Sequence, residues 1–153
     1  MKTSTISAKK IEHKWWLLDA DNQVLGRFAS KVAQILRGKH RPNYAPNLYM
    51  GDSVVIVNSD KIRVTGNKAD SKQYFTHSGY PGGAKMTNYS DLIRNDSDRV
   101  IINAVKGMLP KNKLGREIIT HLRVYKGSIH NQDAQNPVTV SYTHLTLPTI
   151  LLV

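Results

Sequence analysis

Two short apolar runs, Trp15–Leu18 and Val54–Val57, stand on either side of a stripe formed by Leu25, Phe28, Ala29, Val32 and Leu36. Each run is too short for a helix, and a run without polar alternation fits a strand buried on both faces. The stripe recurs at helical spacing, with Arg27, Lys31 and Gln34 off it and Arg37-Gly38 supplying a basic last turn and a glycine stop. Strand, helix and strand in this order imply a right-handed crossover and a parallel pair. The opening third of the chain therefore commits it to an α/β architecture.

Later segments add to that core. Ile62 and Val64 alternate with polar residues, Gly66-Asn67 marks a turn, and Tyr74 and Thr76 alternate against Phe75 and His77, which predicts a hairpin-like excursion. Gly79-Tyr-Pro-Gly-Gly83 followed by Lys85 reads as a flexible loop, because no Lys-Ser/Thr helix start follows to make it a phosphate cradle. Asn88 with Asp91 resembles a capping box, and Asp96 or Ser97 can cap the next helix. Asp91, Asp96 and Asp98 lack the spacing of a calcium loop and read as helix N-terminal charge. Val100, Ile101, Ala104, Val105 and Met108 form a second helical stripe, stopped by Gly107 and Pro110. Leu114, Ile118 and Leu122 start a third, and Val124-Tyr125 allow a last short strand that Gly127 closes.

Charge narrows the class of partner. The 153 residues carry 22 Lys and Arg against 11 Asp and Glu, a net +11 with a pI near 10.0, and such an excess calls for an anionic partner. A membrane reader would carry a basic amphipathic helix or a lipidation signal, and neither is legible. With no Cys there is no disulfide framework, thiolate zinc site or cysteine nucleophile, which suits a reducing cytosol. The first residues, with Lys2, Lys9 and Lys10 but no apolar run, read as a basic arm and not as a secretory signal. No G-x-G-x-x-G follows the first strand, so no dinucleotide is implied, and no metal or other cofactor is assigned. His13, His40, His77, His121 and His130 show no catalytic spacing, and no catalytic residue is assigned. His77 and His130 are the two histidines to test if the chain acts chemically on RNA.

Between the second and third helical stripes, Lys106, Lys111, Lys113 and Arg116 concentrate positive charge in one turn, with Glu117 nearby. The long connection from Lys39 to Asp52 begins Lys39-His40-Arg41-Pro42 and carries Tyr44 and Tyr49, which either stack on bases or pack inward. The stretch AVKGMLPKNKLGR, Ala104 to Arg116, resembles the signature of the L-thirteen family of large-subunit ribosomal proteins. In the same order, WWLLDADNQVLGRFASKVAQILRGKHR from Trp15, GDSVVIVNSDKIRVTGNK from Gly51 and YKGSIHNQDAQNP from Tyr125 resemble that family too, so the likeness covers about residues 14–137.

The resemblance implies a three-layer α/β domain with a small, mostly parallel sheet flanked by helices, working as a structural, non-enzymatic part of the cytoplasmic large ribosomal subunit. Residues 1–13 are then a basic N-terminal arm, 14–137 the single domain, and 138–153 an atypical tail. Residues 134–153 hold no Asp, Glu, Lys or Arg, and SYTHLTLPTILLV has no counterpart in the family pattern. That end reads as a frameshift, a cloning scar or translated adapter sequence, with a natural extension as the alternative. The expected partners are large-subunit rRNA, neighbouring ribosomal proteins and, as in some bacterial members, the protein's own messenger RNA. The RNA-binding residues expected are Arg37, Lys39, His40, Arg41, Lys68, Lys72, His77, Lys85, Lys106, Lys111, Lys113, Arg116, Lys126 and His130. Two rival functions stay open: a free RNA-binding translational regulator, and a small RNA-acting enzyme.

Overall fold

The computed structural model of the protein describes residues 11–140. The strand-helix-strand opening forms as expected: β1 (Trp15–Asp19), α1 (Leu25–Arg37) and β2 (Ser53–Val57), with β1 and β2 parallel. Then come α2 (Lys68–Ser71), β3 (Gln73–His77), β4 (Ala84–Asn88), α3 (Tyr89–Asn95), α4 (Ser97–Met108), α5 (Lys113–Ile118), β5 (Leu122–Val124) and β6 (Val138–Thr139). Four strands make one sheet in the order β5-β2-β1-β6, every neighbouring pair parallel, while β3 and β4 form a separate antiparallel ribbon. This is the α/β architecture with a mostly parallel sheet and flanking helices that the sequence implies.

Register explains the core. Trp16 pairs with Val54 and Val54 with Leu122, while Leu18 pairs with Ile56 and Ile56 with Val124, so these residues form two rows on one face of the sheet. Against that face lie Phe28, Ala29, Val32 and Leu36 of α1 and Val100, Ile101 and Val105 of α4, in one continuous apolar cluster. Each Val, Leu, Ile or Phe side chain among them, removed from water, contributes on the order of 1.5–3 kcal/mol. Strand β2 is buried along its whole length, but in β1 only Leu18 is fully buried. The reason is position: β2 lies between two strands of the sheet, whereas the outer flank of β1 meets only the two-residue β6.

Four local expectations are corrected. The hairpin pairs Gln73–His77 with Ala84–Asn88, not with the Ile62–Val64 segment, because α2 intervenes and the glycine-rich loop makes the turn. Leu122 does not extend the third helical stripe; a single 3-10 turn over Ile119–His121 ends the helix and Leu122 starts β5. Neither Asn88 nor Asp96 caps its helix with a side-chain hydrogen bond, and Ser97 is instead buried against Ser59, their hydroxyls 2.7 Å apart. Finally, Val138 and Thr139 join the sheet, so the domain runs past residue 137. Residues 1–10 of the arm and 141–153 of the tail lie outside the described residues.

The connection after α1 is closed by one buried carboxylate. Asp52 is 1% exposed and accepts hydrogen bonds from the Lys14 backbone N–H (3.0 Å), the Trp16 indole (2.9 Å) and Arg41, with His40 Nε2 at 3.0 Å. Burial alone would raise its pKa, but the bonds from His40, Lys14, Trp16 and Arg41 outweigh it and hold the carboxyl well below its ordinary 3.8. Two glycines permit the close return. A Cβ on Gly51 would sit 1.7 Å from the Leu36 carbonyl oxygen, and one on Gly38, at φ +82°, would sit 2.5 Å from the Met50 carbonyl oxygen. Asp52→Asn would leave Arg41 without its counter-charge and is expected to cost about 3 kcal/mol, or about 10 °C of Tm, by thermal melting at neutral pH. Because the folded pKa is depressed, this contribution is complete above 3.8 and is lost as pH falls below it.

Beside this carboxylate, Tyr49 is stacked between His13 (4.7 Å) and His121 (4.5 Å). Burial lowers the pKa of His121 from its ordinary 6.5, His13 and Arg123 add to the effect, and Glu117 opposes it. A histidine with a depressed folded pKa binds fewer protons folded than unfolded, so stability should decline as pH falls below 6.5. Melting curves between pH 7.5 and 5 should show the decline in the native chain and a shallower one in His121→Phe, which keeps the ring but not the proton site.

Candidate nucleic-acid interface

Three adjoining clefts surround the C-terminal end of α4, and basic residues line all of them. The first, about 440 Å³, includes Arg37, Lys39, Tyr44, Met108, Leu109 and Pro110. The second, about 400 Å³, shares Leu109 and Pro110 with it and adds Lys106, Lys111, Asn112 and Arg116. The third, about 520 Å³, shares Met108 with the first and adds Arg27, Lys68 and Lys72. Together these linings hold eight Lys and Arg residues and no Asp or Glu. The placement has a local cause: α1 and α4 pack side by side, and the partial negative charge at a helix C-terminus favours cations such as Arg37 and Lys106 in the last turn.

The cations are held to different degrees. The Arg37 guanidinium donates from Nε to the Tyr44 hydroxyl (2.7 Å) and from Nη2 to the Pro46 carbonyl (3.4 Å), and lies 5.8 Å from the Tyr44 ring. The Lys72 ammonium lies 5.1 Å from the Tyr74 ring. In the turn after α4, the Asn112 side chain accepts the Gly115 N–H at 2.8 Å and caps α5. Gly115 is required there, since a Cβ would meet the Pro110 carbonyl oxygen at 1.8 Å. Lys111 is thus carried on a turn fastened at both ends.

Of the predicted RNA-binding residues, Arg37, Lys39, Lys68, Lys72, Lys106, Lys111 and Arg116 are gathered in the clefts. Lys113 opens α5, exposed but outside the cleft linings. His40 and Arg41 are turned to Asp52, and Arg41 also donates to the Glu12 carbonyl. His77 and Lys85 lie on the β3–β4 ribbon, where His77 Nδ1 accepts the Gly79 N–H at 2.9 Å. Lys126 donates to the Arg94 carbonyl at 2.7 Å, and His130 Nδ1 lies 3.4 Å from the Asp133 carboxylate with its ring tilted against Tyr125. Tyr49 is stacked between two histidines, as the inward reading has it, whereas Tyr44 is partly buried, accepts from Arg37 and lines the first cleft. Arg27 was not among the expected contacts; its position off the apolar stripe of α1 was the signal. Among the described residues no group of three or more His, Asp or Glu could hold a metal ion, and no helix is long and apolar enough to cross a membrane.

Residues 13–131 match the family described as ribosomal protein L13. The chain is similar to large ribosomal subunit protein uL13 of Ectopseudomonas mendocina, 49% identical over 137 residues that make up 90% of this chain and 96% of the relative. It is similar to the protein of the same name from Desulfovibrio desulfuricans, 47% identical over 144 residues, 94% of this chain and 100% of the relative. A further relative of that name, from Prochlorococcus marinus, is 49% identical over 140 residues, 92% of this chain and 93% of its own length. On the length of the match, the level of identity and the architecture, the chain belongs to the ribosomal protein L13 family.

Proposed function

We propose that the protein is a structural constituent of the large ribosomal subunit in the cytoplasm, and that it binds and helps fold large-subunit rRNA through the clefts at the end of α4. The observation that carries this reading is the grouping of eight cations from α1, α2, α4, α5 and the adjoining turns with no carboxylate among them. Such a surface binds by neutralising phosphates and releasing their counterions, a term that is insensitive to sequence and steeply dependent on salt. Because the cations project from separate elements of one rigid domain, they fix the relative position of RNA segments that would otherwise repel each other. The action is binding and positioning, with no catalytic step. Membership in a family whose relatives are named as large-subunit proteins supports large-subunit rRNA as that RNA.

The three cations of the second cleft supply the test. Changing Lys106, Lys111 and Arg116 to Ala should reduce the slope of log affinity against log salt, measured by fluorescence titration with an rRNA fragment, by about 3, at about 0.9 per phosphate contact. The same loss of charge at Lys61, Arg63 and Arg94, exposed and outside these clefts, should change the slope far less. Equal slopes for the two triple variants would contradict the proposal.

A second variant separates charge from geometry. Gly115→Ala removes no charge but forces the Pro110 carbonyl away, so it should weaken rRNA binding several-fold and cost about 1–3 kcal/mol of stability. Full affinity in a folded Gly115→Ala protein would show that the fastened turn is not what presents Lys111.

A further inference from the structure

The β3–β4 ribbon has two unlike faces. Strand alternation and register put Tyr74 and Thr87 on one face, and there Tyr74 packs, partly buried, against the apolar core. On the other face Phe75 lies directly opposite Met86, and His77 lies opposite Ala84. Phe75 is 60% exposed and Met86 66%, and Tyr80 in the connecting loop is 76% exposed. The His77 ring is tilted at 33° to Phe75 with its centroid 6.3 Å away. These are the largest exposed rings of the described domain, and they share one short element.

The ribbon's charge indicates what covers this face. From residue 72 to residue 88 the chain has no Asp or Glu; His77 shares the outer face, while Lys72, against the Tyr74 ring, and Lys85, opposite Thr76, lie on the Tyr74 side and leave the whole ribbon positive. A protein strand laid along the face would bury the apolar pair but gain nothing from the ribbon's net positive charge unless it were acidic. An unpaired nucleotide uses both features, since its base has a flat apolar face and its backbone a negative charge. The backbone suits a loop that reaches out for it: Gly79 and Gly82 take φ of +89° and +71°, the turn is closed by Gly83 N–H to the Tyr80 carbonyl at 2.9 Å, and a Cβ at Gly79 or Gly82 would meet nothing. Tyr80 is therefore carried on a tip with open space around it.

We infer that the outer face of the β3–β4 ribbon, Phe75 with Met86 and the Tyr80 tip, is a stacking platform for unpaired RNA bases, distinct in position and in physics from the phosphate-binding clefts at the end of α4. It rests on the reading of the partner as RNA. The clefts respond to backbone charge and take any folded helix, whereas the platform requires a base that is free of its stack. Its contribution is carried by aromatic area and is nearly independent of salt.

The probes are a single-stranded oligoadenylate carrying 2-aminopurine and an RNA duplex of the same length, titrated against the full chain. Phe75→Ala and Tyr80→Ala should each weaken the single strand about 5- to 150-fold, at roughly 1–3 kcal/mol per stacked base, and should leave the salt slope and the duplex affinity unchanged. Phe75→Leu keeps apolar area without a ring and should lose most of the affinity as well, together with the fluorescence quenching that marks a stacked base. Both side chains are exposed, so melting temperatures should be unaltered. Wild-type single-strand affinity in Phe75→Leu, or binding without quenching, would overturn the platform and give the face to a protein neighbour. Failure of the native chain to bind either probe would instead count against RNA as the partner, and with it against both sites.

Discussion

A buried carboxylate with four donors around it settles how the first half of this domain is arranged. Asp52 stands at the entry to β2 and draws in the backbone before β1, the Trp16 indole, and His40 and Arg41 from the far side of the long connection. Removing a charge from water is costly unless its hydrogen bonds are complete, so the site is stable only with all of these groups in place. It thereby fixes where the chain after α1 returns to the sheet, with Gly38 and Gly51 allowing the backbones to touch. It also decides which cations are left for a partner. His40 and Arg41 are committed inside the protein, while Arg37 and Lys39, a few residues earlier, line an open cleft.

The same division of labour runs through the rest of the surface. Positive charge is spread along the sequence, but packing α1 against α4 brings the ends of both helices to one place and collects the charge there. Helix ends favour those cations, aromatic neighbours hold Arg37 and Lys72, and the Asn112 cap with Gly115 holds the turn that bears Lys111. A scaffold of this kind suits a partner whose own charges must be brought close together. The ribbon, standing off the sheet with its rings outward, offers a different grip on the same class of molecule.

How much of this could be read in the sequence depended on how local the cause was. The parallel opening was legible because the period of Leu25 to Leu36 and the unbroken runs on either side are properties of short windows. Leu122 was misread because its spacing from Ile118 fits a helix equally well, and nothing in the window signals the 3-10 turn between them. The hairpin's true partner was hidden because the Ile62–Val64 segment alternates as well as Ala84–Asn88 does. Asp52 went unnoticed because its partners lie between 11 and 38 residues away. The turn from Lys106 to Arg116 was evident as a run of charge, yet its grouping with Arg27, Arg37 and Lys68 depends on tertiary packing that no motif records.

The central claim is that the basic clefts at the end of α4 face RNA phosphate. Its most direct test is amine-reactive footprinting of lysines, read by mass spectrometry, on the free protein and on the protein bound to an rRNA fragment. The account predicts strong protection of Lys39, Lys68, Lys72, Lys106 and Lys111, with little change at Lys61, which is exposed and outside the clefts. Protection confined to Lys14, Lys61 or Lys126, with the cleft lysines as reactive in the complex as in the free chain, would contradict it.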